Sequence, residues 1–408
     1  MAGSGPRRTK RTALLEEASR HINARGAGAI SLNGIAAAVG LSRNALYYYV
    51  SDRADLVYRC YLRRCEFDAE TLAAAVEVHD EAAARVASWI ERSLCDGPAS
   101  PVVIADRDFL PPEQRDAIRD LQDRNRDALR AVVADGIAQG GFRPVDIAVA
   151  TDALIGMVNW TQLASPWLGH IDAQRTRRRA AAAITEVILQ GVASDRAASV
   201  GCALDVGTLM PPLANAFDRE AAARQKVEAV LATASALFNR RGIDGTSLED
   251  IAAQLGATKG AVYYYFQDKA ELVLRCYERA FDLYARILDI ARELPDGLSR
   301  TAAVVHLNAQ AQLGPLSPMM LQPGAASLPE ATLASFVNTA RRLRSVAASF
   351  LHEGANDGSC RPCDKTAISE VSAGAFLWLS KQHNDAQQTS TLYADRLADI
   401  LCRGLIAA

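Results

Sequence analysis

A long internal repeat is the feature that most constrains how this chain folds. Residues 26–63 align without a gap with residues 242–279, which lie 216 positions further along the chain. Roughly half of the aligned positions are identical. The identical pairs include Ser31/Ser247, Gly40/Gly256, Tyr47/Tyr263, Tyr48/Tyr264, Tyr49/Tyr265 and Asp52/Asp268. Because the repeat distance is about half of the 408 residues, it indicates two copies of one domain rather than a solenoid.

Composition excludes several classes of protein. The chain is 50% apolar, 23% charged and only 6% aromatic, which is ordinary for a soluble protein and favours helices. It has no run of about 18 apolar residues, so no membrane span is predicted. The basic segment from Met1 to Ala13 is not followed by an apolar stretch, and secretion is not expected. Eight cysteines in a chain of this length do not form a disulfide framework, so we expect a cytoplasmic protein.

Charge is distributed unequally between the two copies, although the net charge is only −2. Residues 7–64 contain 11 basic and 4 acidic side chains, whereas residues 224–279 contain 8 basic and 7 acidic ones. A local excess of positive charge on a small domain is typical of phosphate binding. The first copy therefore has the stronger electrostatic signature of a nucleic-acid-binding domain.

Each copy has the spacing of four helices. The first helix stops at Gly26 or Gly242, where glycine takes the left-handed conformation that ends a helix. In the second copy, Thr246 and Glu249 fit a capping box for the second helix. The third helix begins at a hydroxyl cap and is predicted to carry three consecutive tyrosines. The predicted bounds are Ser31–Val39 and Ser247–Leu255 for the second helix and Ser42–Val50 and Thr258–Phe266 for the third, and the fourth begins at Asp52 or Asp268.

Two short helices joined by a glycine turn form a helix-turn-helix. The second helix of this motif enters the DNA major groove with its N-terminal residues facing the bases. A plain helical hairpin with tyrosines in its core is the alternative. Its difficulty is that neighbouring residues on a helix are about 100° apart, so three consecutive tyrosines cannot all face one core. Exposed tyrosines beside Arg43 or Lys259 suit phosphate and base contacts, and DNA binding is therefore predicted.

Residues 31–56 and 247–272 resemble the DNA-binding domain of TetR/AcrR-family repressors, and the resemblance covers about 55 residues in each copy. It implies an all-α fold of two halves, each a helix-turn-helix domain followed by a larger helical ligand-binding and dimerisation domain. The base-reading positions that it implies are Arg43, Asn44, Ala45, Tyr47 and Tyr48, and Lys259, Gly260, Ala261, Tyr263 and Tyr264. The phosphate-binding positions are Ser42, Tyr49 and Arg53, and Thr258, Tyr265 and Lys269. A purely structural role in the core remains the alternative for Tyr47 and Tyr263.

The C-terminal parts of the two halves repeat as well. An Arg-Pro-x-Asp motif at residues 143–146 recurs at 361–364, and Gly156 and Trp160 recur as Gly374 and Trp378. The family resemblance implies that the last two helices of each half pair in a four-helix bundle; their predicted bounds are 145–165, 172–193, 363–381 and 391–406. The predicted domains are 8–64 and 222–280 for DNA binding and 65–193 and 281–408 for ligand binding and pairing, with a linker at 194–221.

A covalent tandem would carry both partners of a dimer in one chain. A repressor of this family needs two recognition helices to reach major grooves about 34 Å apart. We expect a pseudo-dimer within one chain, and further homodimerisation stays open. Arg43-Asn44 differs from Lys259-Gly260, and because arginine reads guanine and asparagine reads adenine, two unlike half-sites are predicted.

An effector pocket in the larger domain is implied by the same resemblance. Candidate lining residues are Trp160, Gln162 and Trp167 in the first half, and His306, Gln310, Met319, Met320 and Trp378 in the second. The run from Gly156 to Trp160 resembles family members that sense fatty acyl-CoA. The expected effector is an acyl-CoA or another long apolar ligand, and no cofactor is expected. Aromatic and methionine residues at helical spacing are also common in plain cores, which is the alternative for each.

No catalytic or metal-binding pattern competes with this interpretation. Cys360 and Cys363 form one Cys-x-x-Cys pair without a second pair, and the aligned residues Phe142 and Val145 favour apolar packing. No nucleophile triad, Walker motif or His-Glu-x-x-His motif occurs, so an enzyme is not predicted. The sequence predicts a ligand-responsive transcriptional repressor that binds two half-sites. The alternative is that only the N-terminal unit binds DNA and the second half is a structural or protein-interaction partner.

Overall fold

The computed structural model describes residues 6–96, 101–164, 173–197, 200–210, 218–323, 328–382 and 390–407. Among these residues the regular secondary structure is helical, and β pairing is limited to two isolated bridges. The predicted all-α fold is confirmed. A search of the described helices finds none long and apolar enough to cross a membrane.

The two halves contain corresponding helices in the same order. In the first half they are α1 (Pro6–Arg25), α2 (Leu32–Ala38), α3 (Arg43–Leu46), α4 (Arg53–Val78), α5 (Ala82–Glu91), α6 (Pro112–Ala138), α7 (Ile147–Ala164) and α8 (Ala173–Gln190). In the second half they are α9 (Arg219–Arg241), α10 (Leu248–Gln254), α11 (Lys259–Tyr263), α12 (Lys269–Arg292), α13 (Gly297–Leu313), α14 (Glu330–Asp357), α15 (Lys365–Leu377), α16 (Leu379–Gln382) and α17 (Ser390–Arg403).

The helix ends in both DNA-binding units follow from local capping. The chain leaves α1 and α9 at Gly26 and Gly242, with φ of +86° and +76°. The second helices begin after Ser31 and Ser247. The predicted capping box at Thr246 is wrong by one residue, because Ser247 and Asp250 form the box. The Thr246 hydroxyl donates instead to the carbonyl of Gly242 at 3.0 Å and stabilises the turn before the helix.

The third helices are shorter than predicted. The structure ends α3 at Leu46 and α11 at Tyr263, so most of the triple tyrosine lies in a hydrogen-bonded turn. In this turn the Tyr49 N–H donates to the carbonyl of Leu46 at 2.8 Å. The chain must turn here because α4 begins a few residues later, where Asp52 caps the helix by accepting the Asp55 N–H at 2.8 Å.

The last helices of the two halves pack against each other in one bundle. Its members are α7 and α8 from the first half and α15 and α17 from the second, and residues of both halves share its apolar core. At the centre, α7 and α15 cross at Gly156 and Gly374. A Cβ atom added at Gly156 would lie 2.5 Å from the Gly374 carbonyl oxygen, and one at Gly374 would lie 2.6 Å from the Gly156 oxygen. Only glycine permits so close a crossing.

At one end of the bundle, where α8 and α17 end, the contacts between the halves occur in corresponding pairs. The bridge between Phe142 and Ile406 is matched by the bridge between Cys360 and Ala193. Two corresponding ion pairs accompany them at 2.7 and 2.8 Å, namely Arg143–Asp399 and Arg361–Glu186. The same residues of each half therefore contact the other half, which is the arrangement of a two-fold symmetric pair.

Candidate DNA-binding surfaces and effector cavities

The first DNA-binding unit presents a polar surface at the start of α3. Arg43 and Asn44 are exposed, while Leu46 on the same helix is fully buried. Tyr47 and Tyr48 are 46% and 77% exposed. Arg43 makes no ion pair within the described part of the chain. A cation, an amide and two phenol groups therefore face solvent together, as base and phosphate contacts require.

The second unit has the same geometry but a different charge balance. Tyr263 and Tyr264 are 44% and 82% exposed, so neither Tyr263 nor its counterpart Tyr47 is buried as a core role would require. Lys259 forms an ion pair with Glu249, and its amine lies 5.3 Å from the centre of the Tyr263 ring. The hydrogen bond that Lys259 donates to Glu249 lowers the pKa of the Glu249 carboxyl. The first unit has Asn33 in place of Glu249, so Arg43 has no carboxylate at that position and stays available to DNA.

The predicted phosphate-binding residues are held at the edges of these surfaces. The hydroxyl oxygens of Ser42 and Thr258 accept the N–H groups of Ala45 and Ala261 at 3.2 and 3.3 Å, which leaves each O–H free to donate. Arg53 donates to the Gly28 carbonyl at 2.8 Å. Among the remaining predicted positions, Gly260 and Ala261 are exposed, and Tyr49 and Tyr265 are half-buried. Lys269 is partly buried, and this burial lowers the pKa of its amine.

The two DNA-binding units touch each other. A Cβ atom added at Gly28 would lie 2.7 Å from the Cβ atom of Asp244, and one at Gly242 would collide with the Asp106 carboxylate. Arg241 of the second unit also lies 3.9 Å from Asp108 of the first half. The orientation of one unit relative to the other is therefore constrained by direct contacts as well as by the bundle.

One asparagine connects each DNA-binding unit to its own larger domain. Asn23 on α1 donates to the carbonyl of Pro101 at 2.8 Å, and Asn239 on α9 donates to the carbonyl of Pro318 at 2.8 Å. Asn239 Oδ1 also accepts the Met320 N–H at 2.9 Å. Sequence reasoning missed this pair, although the two asparagines are identical at the repeat offset.

The larger domain of the second half encloses an apolar cavity of about 170 Å³. Helices α12, α14 and α15 form most of its wall, and Trp160 and Ala164 of the first half also line it. The lining residues include Trp160, Tyr277, Ala280, Phe281, Tyr284, Met319, Met320, Phe336, Arg344, Ala373 and Phe376. Arg344 is the cation in this wall and makes no ion pair with any described residue. Burial lowers its pKa. The cavity therefore offers a long apolar surface with one guanidinium, which the charge of Glu370 compensates only in part.

A second cavity, of about 110 Å³, lies at the corresponding place in the first half. Trp378 of the second half lines it, as Trp160 lines the apolar cavity. Charged residues replace apolar ones here: Arg64 aligns with Ala280, and Asp68 aligns with Tyr284. The two halves therefore carry cavities of unlike chemistry.

The predicted effector residues divide among different environments. Trp160, Met319 and Met320 line the apolar cavity, and Trp378 lines the charged one. Gln162 instead bonds to the buried Arg64 and donates to the Ser93 carbonyl at 3.1 Å.

His306 and Gln310 line neither cavity. His306 is fully buried 3.0 Å from Asp395, and the Gln310 side-chain oxygen accepts the Val206 N–H at 2.7 Å. These two residues bind the linker segment that joins the two halves, at Leu204 and Val206. Trp167 lies outside the described residues. Cys360 packs against Gly354, and burial raises the pKa of its thiol to about 11.

Comparisons with known proteins place both repeated segments in one family. Residues 14–60 and 230–276 match the family described as bacterial regulatory proteins, tetR family. Residues 69–163 match the family described as tetracyclin repressor-like, C-terminal domain.

Three curated relatives are transcriptional regulators. The repressor KstR2 of Mycolicibacterium smegmatis is 32% identical over 143 residues, covering 33% of this chain and 66% of that protein. The regulator AcrR of Shigella flexneri is 38% identical over 56 residues, covering 14% and 26%. The regulator TtgR of Pseudomonas putida is 36% identical over 73 residues, covering 18% and 30%. The chain thus spans less than two thirds of the length of each.

Solved structures of similar proteins match parts of this chain. The TetR-family regulator PfmR from Thermus thermophilus is 27% identical with a TM-score of 0.37, covering 45% of this chain and 97% of that one. The structure of AibR with isovaleryl coenzyme A and operator DNA is 22% identical with a TM-score of 0.37, covering 43% and 96%.

Proposed function

Because the chain is a tandem member of the TetR/AcrR family, we propose that it is a ligand-responsive transcriptional repressor. In this proposal both helix-turn-helix units of one chain bind one operator with two unlike half-sites. The observation that carries it is the pairing of the halves at Gly156 and Gly374, since this pairing holds two exposed recognition surfaces on one molecule. The covalent pair takes the place of a dimer of separate subunits.

A route for effector control runs through the Met319–Met320 loop. These two methionines line the apolar cavity, and the Met320 N–H is held by Asn239 of α9. A ligand that displaces the loop would therefore move α9, the first helix of the second DNA-binding unit. Because Asp244 of this unit also lies against Gly28 of the first one, the displacement would change the distance between the recognition surfaces.

The stoichiometry of the DNA complex tests the pseudo-dimer. We expect the free chain to have the mass of one molecule, 43.8 kDa, and to bind its upstream promoter fragment one to one. Light scattering gives both masses, and a footprint should protect two major-groove segments about one helical turn apart. Two chains on one operator, with four protected segments, would contradict the proposal.

A second candidate function has one observation in its favour. Lys259 is paired with Glu249, and the second unit has little excess positive charge, so the first unit alone could bind DNA. In that case the footprint would cover a single half-site.

We further infer that the effector has an apolar body and one anionic group. The apolar wall would hold the body, and Arg344 would bind the anion, because a hydrogen bond to a charged group contributes about 1.5–3 kcal/mol.

Decanoate and 1-decanol serve as probes for this inference. We expect decanoate to bind more tightly, and Arg344→Gln should weaken decanoate about 10- to 100-fold while 1-decanol changes little. Titration calorimetry measures both. Arg341→Gln is the matched control, because Arg341 is exposed one turn away on α14. Equal affinities of the wild type for both probes would contradict an anionic head group.

A further inference from the structure

The charged cavity of the first half combines several cations with few acids. Of its lining residues, two are acidic, Asp68 and Asp123. The five basic lining residues are Arg64, Arg107, Arg126, Arg240 and Lys381. Its wall also contains the amides of Gln122, Asn125, Asn159 and Gln382. Such a wall disfavours an apolar ligand and offers many hydrogen-bond donors.

Two of these cations are partly buried without an ion-pair partner. Within the described parts of the chain, neither Arg107 nor Lys381 has a carboxylate oxygen within 4.0 Å. Lys381 donates to the Ala105 carbonyl at 2.8 Å and to Gln322 at 3.3 Å, and Arg107 donates to Gln122 at 3.1 Å. Burial lowers the pKa of Arg107 and lowers that of Lys381 to about 8. Their charged forms thus lack a described carboxylate at ion-pair distance.

The nearby acids compensate these two cations only in part. Asp108 acts on both, but it lies 3.7 Å from Arg115 and 3.9 Å from Arg241. Asp68 is bonded to Arg64 at 2.8 Å, and Asp123 and Asp152 lie 3.6 and 3.7 Å from Arg126. Asp106 interacts with Lys381 from beyond ion-pair distance. Its carboxylate contacts the backbone at Gly242, and burial raises its pKa. An anion entering the cavity would supply the missing charge.

We propose that the charged cavity binds a small multivalent anion with carboxylate or phosphate oxygens. Lys381, Arg107 and Arg126 would hold it. This proposal extends the proposed function, because one chain then takes two ligands of unlike chemistry. The apolar acid binds in the second half and the small anion binds in the first.

The position of the charged cavity links its occupancy to the DNA-binding units. Lys381 and Gln382 come from α16 of the second half, whereas Arg107 follows α5 of the first. Arg240 lies at the end of α9, next to the Gly242 turn that contacts Asp106. An anion held by Lys381, Arg107 and Arg126 would lie in the same cavity as Arg240, and its attraction for Arg240 would stiffen the arrangement of the two units. This regulatory consequence rests on the proposed function, whereas the binding site itself does not.

Citrate and pyrophosphate are suitable probes, titrated into the full chain by calorimetry at constant ionic strength. We expect binding of at least one probe, and Lys381→Met or Arg126→Gln should weaken it at least 10-fold. Arg344→Gln is the matched control, because Arg344 occupies the position of Arg126 in the second half, at the offset of 218. It should leave anion binding unchanged and weaken decanoate, and Arg126→Gln should do the reverse.

Decanoate binding by Lys381→Met and by Arg126→Gln also shows whether these two variants are folded. The proposal would be overturned if neither citrate nor pyrophosphate binds at millimolar concentration. It would also be overturned if the wild type, Lys381→Met and Arg126→Gln bind these probes equally. The anion titrations contain no DNA, so a failure of operator binding would count against the proposed function alone.

Discussion

Replacing Arg43 with alanine should weaken binding to the upstream promoter fragment about 10- to 100-fold at fixed salt, because a bidentate arginine contributes about 1–3 kcal/mol of base discrimination. Arg43 is exposed and makes no ion pair within the described residues, so its full donor set is available to DNA. Lys259→Ala should have a smaller effect, because Lys259 must first leave Glu249. Fluorescence anisotropy with labelled DNA measures both affinities.

A reciprocal variant separates the two interpretations of the second unit. Glu249→Asn introduces the residue that the first unit has at Asn33 and releases Lys259. We expect tighter binding and a salt dependence steeper by about one phosphate contact. Arg292→Ala, which removes an exposed cation at the end of α12, is the control and should change neither. If neither Lys259→Ala nor Glu249→Asn alters binding, the second unit is a structural partner and the one-unit alternative holds.

Local signals in the sequence were enough to predict the helix-turn-helix units. Gly26 and Gly242 end the first helices, and Ser42 and Thr258 cap the third ones, as expected. These features depend on a few neighbouring residues, so a sequence pattern specifies them. The resemblance between the halves also predicted which helices of the larger domains correspond, because Gly156 recurs as Gly374.

Other features depend on competition or on distant contacts. Thr246 with Glu249 and Ser247 with Asp250 both fit a capping box, and the bond from Thr246 to Gly242 decides between them. The end of α3 is likewise set by the cap of α4, which a helical pattern does not reveal.

The cavity walls were the hardest part to predict. His306 fits a pocket by helical spacing, yet it faces the connection between the halves. Lys381 reaches its cavity only when the halves pair, and Arg344 and Arg107 reach theirs only when distant helices pack together, so no local pattern singles them out.

The crossing of α7 and α15 should be the contact most sensitive to a single methyl group. Gly374→Ala would place a Cβ atom 2.6 Å from both the Gly156 carbonyl oxygen and the Trp160 Cβ atom, and backbone atoms cannot move aside as a flexible side chain can. Overpacking of this kind costs about 1–3 kcal/mol. We expect a lower urea midpoint for the variant. Gly34→Ala is the matched helical control, because a Cβ atom there lies no closer than 3.5 Å to its neighbours.

The same substitution should separate pairing from linkage. In Gly374→Ala the halves remain joined by the chain, so the second unit keeps the effective concentration that the linker gives it. Operator affinity should therefore fall, but not to that of the isolated first unit, whereas the footprint should lose its fixed spacing between half-sites. Anisotropy and footprinting on operators with altered spacing measure the two effects. An unchanged urea midpoint together with an unchanged spacing preference would show that the Gly156–Gly374 crossing does not position the DNA-binding units.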